Sequence, residues 1–210
     1  MSVFVSLLRS GGNHLPSDYT AVTCLKNLTE TSTYLSTNYD CVWNRKYEYD
    51  LQPVMRSHNW TSLGASTTNS EANRWGFNSE GKAPQASLLM RLGGASQQTN
   101  NISDLDNVRR TYTYIIENGY QVSSISGIST TLSTSQTGLA TGKLVLFAHG
   151  TGGDRYRGRI YGLKISDTQN GKMIADMVPC VRKADNKPGM YDFVTKTFYS
   201  SATSTDYEYE

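Results

Sequence analysis

Residues 143–200 read KLVLFAHGTGGDRYRGRIYGLKISDTQNGKMIADMVPCVRKADNKPGMYDFVTKTFYS, and this stretch decides the fold class. Short apolar runs follow one another in it and are separated by residues typical of turns. Residues 144–148 form a continuous apolar run, as in a strand that is buried on both faces. Asn170-Gly171 separates the next two runs and favours the positive φ angles of a tight hairpin turn. The stretch therefore predicts antiparallel β-structure.

The run at residues 159–165 alternates, which predicts that one face carries Arg159, Tyr161, Leu163 and Ile165. Pro179 is expected to end the following strand or to lie at a sheet edge, because proline cannot donate to a β-ladder. Pro188-Gly189 predicts a further turn. The aromatic residues from Tyr191 to Tyr199 then predict a last strand pair around Thr195-Lys196.

Further strands are predicted upstream of this stretch. Residues 47–52 alternate between apolar and polar, which is typical of a half-buried strand. Asn118-Gly119 lies between two β-rich runs and predicts a second hairpin. Residues 97–106 and 129–142 are polar and are expected to be loops. Short strands at a spacing of about 8–12 residues indicate an all-β sandwich or jelly roll, with two antiparallel sheets.

Composition narrows the classes of protein that fit. A chain of 210 residues with no linker-like segment favours one large β domain. The net charge is only +2, and the basic residues do not form the cluster that is typical of a nucleic-acid-binding protein. No apolar run reaches the length that is needed to span a membrane. We therefore expect no nucleic-acid and no membrane partner. The odd cysteine count favours reduced thiols, although the sequence leaves a bridge between two of the three open.

Seven segments resemble a known family: 15–20 (LPSDYT), 33–37 (TYLST), 146–148 (LFA), 158–165 (GRIYGLKI), 176–182 (DMVPCVR), 189–194 (GMYDFV) and 198–199 (FY). They resemble the concanavalin A-like (laminin-G-like) jelly-roll domains of bacteriophage and prophage virion proteins. The resemblance implies a jelly roll at residues 16–200. It leaves residues 1–15 as a flexible N-terminal arm, a candidate docking segment, and residues 201–210 as a C-terminal tail that we expect to be mobile.

The resemblance also implies a function. We expect a non-enzymatic virion structural protein, such as a fibre or decoration component, that contacts host-surface glycans or other virion proteins. It would assemble in the host cytoplasm as a homo-oligomer and leave by lysis, and the absence of an evident secretory signal fits this route. The alternatives are a carbohydrate-binding module of a bacterial surface protein and, with less support, a divergent glycoside hydrolase.

Residues for chemistry are sparse. Glycosidases of this fold need paired carboxylates that face one groove. Glu48 and Asp50 share a strand face, but Pro53 stands where a further glutamate is needed, so we predict no catalytic residues. The histidines lack the spacing of metal ligands. Asp154 alone does not supply the several oxygens that calcium needs. We therefore expect no cofactor and no metal site, with calcium at a sandwich edge left as an option.

A carbohydrate site is predicted in the region that least resembles the family. Tryptophan rings stack on sugars, and guanidinium and imidazole groups beside them donate planar hydrogen bonds. Trp60, Trp75, Arg74 and His58 are the residues that we assign to this site. Packing in the core is the competing interpretation for the two tryptophans.

Overall fold

The computed structural model describes residues 14–28, 33–40, 42–54, 107–117, 143–148 and 156–210 in full. For residues 60–65, 75–80, 85–92, 95–98, 102–103, 120–125 and 128–133 it describes the backbone alone. These residues form strands and turns without a helix. The strands are β1 (Tyr19–Ala21), β2 (Leu25–Asn27), β3 (Leu35–Asp40), β4 (Arg45–Pro53), β5 (Trp60–Ala65), β6 (Trp75–Glu80), β7 (Gln85–Leu92), β8 (Ala95–Gln98), β9 (Ile102–Ser103), β10 (Arg110–Glu117), β11 (Tyr120–Ile125), β12 (Ile128–Ser133), β13 (Lys143–Leu146), β14 (Gly158–Asp167), β15 (Met173–Arg182), β16 (Lys187–Asp192), β17 (Thr197–Ser200) and β18 (Glu208–Tyr209).

Two antiparallel sheets make up the sandwich. The large sheet has the order β12-β11-β10-β4-β14-β15-β16-β17, and β1, β2 and β18 join it at β14 and β15. The small sheet has the order β3-β13-β5-β6-β7-β8, with β9 beside β7. This architecture confirms the predicted all-β fold with two antiparallel sheets. Both predicted hairpins are present, β14–β15 and β10–β11, although residues 118–119 lie outside the described part of the chain.

The core lies between the sheets and is rich in tyrosine. Rows of residues that face one another across strands fill the inner face of the large sheet. One row runs Tyr112, Tyr49, Leu163, Met177, and the next runs Tyr114, Tyr47, Ile165, Ala175. Leu35 on β3 and Leu144 and Leu146 on β13 belong to the same buried cluster and come from the small sheet. Alternation on β4 and β10 therefore directs aromatic residues inward and polar residues outward.

A second apolar cluster lies on the outer face of the large sheet. Val178, Tyr191 and Phe198 form a row across β15, β16 and β17, on the face opposite to Met190 and Tyr199. The segment from Leu15 to Tyr19 packs against this row, and the ring of Tyr19 lies 4.9 Å from that of Tyr191 and 5.4 Å from that of Phe198. Leu15 is therefore part of the packed domain. Residues 1–13 of the predicted arm lie outside the described residues.

The C-terminal segment returns to the sandwich, which corrects the expectation of a free tail. Tyr207 is buried, and its ring stacks on Phe147 at 4.7 Å. Strand β18 then pairs with β2, with Glu208 opposite Lys26. The alternating Tyr-Glu-Tyr-Glu sequence has the period of a strand, and burial of Tyr207 stabilises its return.

Both proline expectations were wrong. Pro179 lies inside β15. The ladder between β15 and β14 ends at Met177, and the ladder between β15 and β1 begins at Cys180, so Pro179 falls in the gap between them. Pro188 lies inside β16, one position beyond the end of the ladder with β17. Each proline therefore occupies a place where one neighbouring ladder is interrupted and no N–H is needed on that side. The turn that precedes β16 is formed by residues 183–186 instead.

The two predicted loops contain strands. Strands β8 and β9 lie within or next to residues 97–106, and β12 covers the start of residues 129–142. Strand β12 pairs with β11 through six residue pairs. The first pair is Ile125 with Ile128, and the last is Tyr120 with Ser133. Ser and Thr residues are compatible with a strand because a ladder uses backbone groups, so composition alone underestimates β-structure here.

Candidate functional site

A β-bulge turns one aromatic side chain onto the outer face of the large sheet. On β14, Ile160 pairs with Leu51 and Gly162 pairs with Asp50, so Tyr161 is an extra residue without a partner on β4. A bulge of this kind re-aims the side chains that follow it. Ile160 and Leu163 both face the core as a result, while Tyr161 is half-buried on the outer face. The predicted common face for Arg159, Tyr161, Leu163 and Ile165 was therefore wrong.

Arg109 lies over the ring of Tyr161. Its Cζ atom is 3.8 Å from the ring centroid. The same guanidinium donates from Nε to Oδ1 of Asp50 at 2.8 Å and from Nη2 to Oδ2 at 2.5 Å. A planar fork that is held at its face by an aromatic ring and at its edge by a carboxylate has one defined orientation.

Gln52 connects the tyrosine to the loop before β10. The Tyr161 hydroxyl donates to Oε1 of Gln52 at 2.5 Å. Nε2 of Gln52 donates to the backbone oxygen of Asn107 at 2.9 Å and to Oδ1 of Asn107 at 3.0 Å. Asn107 has a φ angle of 55°, a conformation that asparagine adopts more readily than most residues. We refer to Asp50, Gln52, Asn107, Arg109 and Tyr161 as the Tyr161 cluster.

A row of polar side chains continues from this cluster across the sheet. Gln52 on β4 faces Arg159 on β14, Arg159 faces Lys26 on β2, and Lys26 faces Glu208 on β18. Glu210 lies beside the row and joins its cations, because its Oε1 is 3.1 Å from Nζ of Lys26 and 3.4 Å from Nη2 of Arg159. We refer to Gln52, Arg159, Lys26 and Glu208 as the outer row.

Hydrogen bonds and burial shift the pKa values of Arg109, Glu210 and Tyr161. The hydrogen bonds to Asp50 raise the pKa of Arg109. The hydrogen bond from Lys26 is the main cause that lowers the pKa of Glu210. Burial is the main cause that raises the pKa of Tyr161, so the phenol stays neutral and remains a hydrogen-bond donor.

The Tyr161 cluster is suited to binding a polyhydroxylated molecule. A guanidinium has five N–H donors, and Asp50 accepts from two of those of Arg109. The Asp50 carboxylate likewise retains acceptor sites. The side chains of Arg109 and Asp50 are 36% and 30% exposed, so donors and acceptors are presented together to solvent. Sugar hydroxyls, which donate and accept at once, match such a surface.

The carboxylates that we considered for catalysis lie on this face but are engaged in ion pairs. Asp50 binds Arg109 as described, and Oε1 of Glu48 is 2.8 Å from Nζ of Lys46. A glycosidase needs two carboxyl groups that face one groove and act on the substrate, and here each carboxylate is instead paired with a cation. This arrangement favours binding over hydrolysis.

The tryptophan site predicted from the sequence stays a prediction. In the register of β5 and β6, Trp60 lies opposite Ser79 and Trp75 lies opposite Ala65, which places the tryptophans at opposite ends of the hairpin. Five residues along a strand separate their backbones by about 17 Å. Their side chains, and both Arg74 and His58, lie outside what the structure describes.

The described ranges hold neither a cluster of metal ligands nor a membrane-spanning helix. There, no group of three or more His, Cys, Asp and Glu residues is placed to hold a metal ion. Asp154, which we considered for calcium, lies outside those ranges. In the same part of the chain no helix has the length and apolarity that crossing a membrane requires.

Comparisons with known proteins identify the fold and no family. No family model matches the sequence, and no curated protein matches it. A native heptameric SAP-like pentraxin from Limulus polyphemus matches with a TM-score of 0.53 and 12% identity, over 70% of this chain and 75% of the pentraxin. Domains LG4-5 of the mouse laminin α1 chain match with a TM-score of 0.50 and 12% identity, over 73% of this chain and 43% of theirs.

A bacteriophage protein is also similar. The enzymatically active domain of bacteriophage CBA120 tailspike protein 2 matches with a TM-score of 0.55 and 11% identity. The match covers 82% of this chain and 35% of the tailspike chain. At such low identity these matches show the fold alone. They confirm the predicted concanavalin A-like jelly-roll fold.

Proposed function

We propose that this chain is a non-enzymatic, lectin-like domain that binds glycans through the Tyr161 cluster and is displayed on a bacteriophage virion. The observation that carries the binding proposal is the bulge at Tyr161, which brings an aromatic ring, a guanidinium and a carboxylate together on an accessible sheet face. Bulges that re-aim a side chain are over-represented next to functional sites.

The chemistry of the cluster favours a sugar over other ligands. Tyr161 supports one face of the Arg109 guanidinium, and Asp50 fixes its edge. Because these groups already hold one another in place, a ligand orders few side chains when it binds. Vicinal hydroxyls of a sugar would accept from the remaining N–H groups of Arg109 and donate to Asp50. No cofactor takes part in this mode of binding, so we expect it to persist in EDTA.

The virion setting rests on two kinds of support. The segments GRIYGLKI and GMYDFV resemble phage and prophage virion proteins. The tailspike domain supports the setting by fold only. We propose that the chain assembles in the host cytoplasm with other virion proteins and with further copies of itself, and is released by lysis. If several copies are displayed on one particle, their weak individual contacts would combine into strong multivalent binding.

Replacing Arg109 by alanine is expected to weaken glycan binding at least tenfold, about 1.4 kcal/mol, because the remaining N–H donors of Arg109 and the orientation of Asp50 are lost. The measurement is binding to immobilised polysaccharides, followed by titration of those that bind. Arg182→Ala is a matched control, since Arg182 pairs with Asp185 through the same two-pronged contact and lies 4.8 Å from the ring centroid of Phe198. Equal losses in both variants would contradict a role for the Tyr161 cluster.

The tryptophan site gives a direct alternative within the same assay. Trp60→Ala and Trp75→Ala are expected to retain binding if the Tyr161 cluster holds the glycan. Loss of binding in a folded tryptophan variant, with Arg109→Ala unaffected, would move the site to the β5–β6 hairpin. Release of soluble sugars from a polysaccharide, lost in Glu48→Gln, would instead support a hydrolase.

The chain is expected in purified phage particles at several copies per virion. The measurement is quantitative mass spectrometry of particles purified by density gradient, with a host cytosolic protein as the contamination control. Recovery in the bacterial envelope and not in particles would instead favour a carbohydrate-binding module of a bacterial surface protein.

A further inference from the structure

The outer row extends the Tyr161 cluster into a longer polar surface. Residues that face each other across antiparallel strands share a face, so Gln52, Arg159, Lys26 and Glu208 lie in line across four strands. Neighbouring strands are about 4.8 Å apart, so the row is about 14 Å long, the length of about three linked pyranose rings. Gln52 belongs to both the cluster and the row, which makes the surface continuous.

Charge along this surface is balanced. Each cation has a carboxylate partner: Arg109 pairs with Asp50, Arg159 with Glu210, and Lys26 with both Glu210 and Glu208. An anionic ligand that approached one of these cations would also meet the carboxylate paired with it, which repels the ligand. A neutral ligand can bind at the edges of the pairs without breaking them.

The exposed fractions of the side chains along the row also favour a neutral ligand over an anionic one. The side chains of Lys26 and Arg159 are only 15% and 20% exposed, whereas those of Glu208 and Glu210 are 65% and 48% exposed. Solvent therefore meets carboxylate oxygens at the β18 end, and these repel anions and accept hydrogen bonds from hydroxyl groups.

We infer that the surface formed by the Tyr161 cluster and the outer row binds a neutral, linear oligosaccharide of about three units that crosses the strands, with Gln52 at one end and Glu208 at the other. This inference rests on the proposed function. It adds the charge class, the length and the direction of the glycan.

The test begins with the full chain and a set of immobilised polysaccharides. The neutral probes are dextran, mannan, galactan and β-glucan, and the anionic probes are hyaluronate, polysialic acid and teichoic acid. Binding to a neutral probe that changes less than twofold between low and high salt is expected. Binding to anionic probes alone would overturn the inference and leave the proposed function standing. Binding to none of the probes would overturn both.

The length of the site is tested by titration with oligosaccharides of one to six units that are prepared from the neutral probe that binds. Affinity is expected to rise up to about three units and then level off. In Glu208→Ala the gain in affinity with length should shrink at least threefold, whereas Arg109→Ala should weaken the binding of every length alike. Equal affinity at all lengths, or a length dependence that Glu208→Ala does not alter, would overturn the inference. Arg182→Ala and thermal unfolding of each variant serve as controls for folding.

Discussion

Gly189→Ala is expected to lower the free energy of unfolding by about 3 kcal/mol or more, although it adds a single methyl group. Gly189 lies in β16, where a Cβ atom would overlap the backbone oxygen of Tyr199 and come within 2.6 Å of Cζ of Phe198. The oxygen belongs to the paired strand β17, so it cannot move without breaking the ladder. For a chain of this size the loss corresponds to a fall in melting temperature of about 6–12 °C.

The measurement is urea and thermal unfolding of the variant beside the unaltered chain. Gly162→Ala is the matched control, because its Cβ would meet only the Met177 oxygen at an ordinary 3.5 Å. We expect the control to change stability by less than about 1 kcal/mol. Similar stability of the two variants would show that β17 can move away from β16, against the close approach described here.

Asp192→Ala is expected to cost about 3 kcal/mol, because a buried carboxylate with four donors is removed. Oδ1 accepts from the backbone N–H groups of Asp176 at 2.9 Å and Val194 at 3.0 Å. Oδ2 accepts from the hydroxyl of Thr195 at 2.6 Å and from that of Tyr39. The carboxylate thereby joins β3 of the small sheet to the turn between β16 and β17 of the large sheet. Unfolding in urea measures the loss, and Thr195→Val, which removes one donor, should cost about a third as much.

The same residue gives a pH dependence whose sign is fixed. Burial by itself raises the pKa of Asp192, but the hydrogen bonds from Thr195, Tyr39, Asp176 and Val194 outweigh it and hold the pKa below its ordinary value. A carboxyl group with a lowered folded pKa stabilises the fold fully above its unfolded pKa of about 4. That contribution is lost as the pH falls through the folded pKa.

Asp192→Asn keeps the shape of the side chain and removes its titration. We expect the variant to be less stable than the unaltered chain at pH 7 and to lose less stability on further acidification. The measurement is the slope of unfolding free energy against pH below pH 5. Asp185→Asn is the control, because Asp185 also has a lowered pKa, from its bond with Arg182, but is exposed. A slope that is unchanged in Asp192→Asn would remove Asp192 from the acid response.

Local patterns predicted the fold class well because each strand and turn is coded nearby. The Asn170-Gly171 turn and the alternation of β4 and β10 depend on residues only a few positions apart. Errors arose where a distant strand decided the outcome. Pro188-Gly189 has the composition of a turn but lies in a strand. Glycine is required at position 189 because the backbone oxygen of Tyr199 and the ring of Phe198 leave no room for a Cβ atom.

The candidate site was harder to predict than the fold. Arg109 and Asp50 are 59 residues apart, and no local pattern joins them. One signal was present in β14, where the apolar residues Ile160, Leu163 and Ile165 break strict alternation. Such a break in the alternation predicts a β-bulge, and a bulge at this position directs the side chain of Tyr161 to the outer face. The predicted site around Trp60 and Trp75 relied on residue types alone, which carry no information about the register that separates them.

The pairing of β2 with β18 has a consequence for folding. Lys26 faces Glu208, so the second edge of β2 is covered only by a strand that lies much later in the sequence. Contacts this distant in sequence slow folding. Until then β2 is an open edge that can pair with the wrong chain. Completion of the large sheet is therefore a late step in folding, and folding chains are most vulnerable to aggregation just before it.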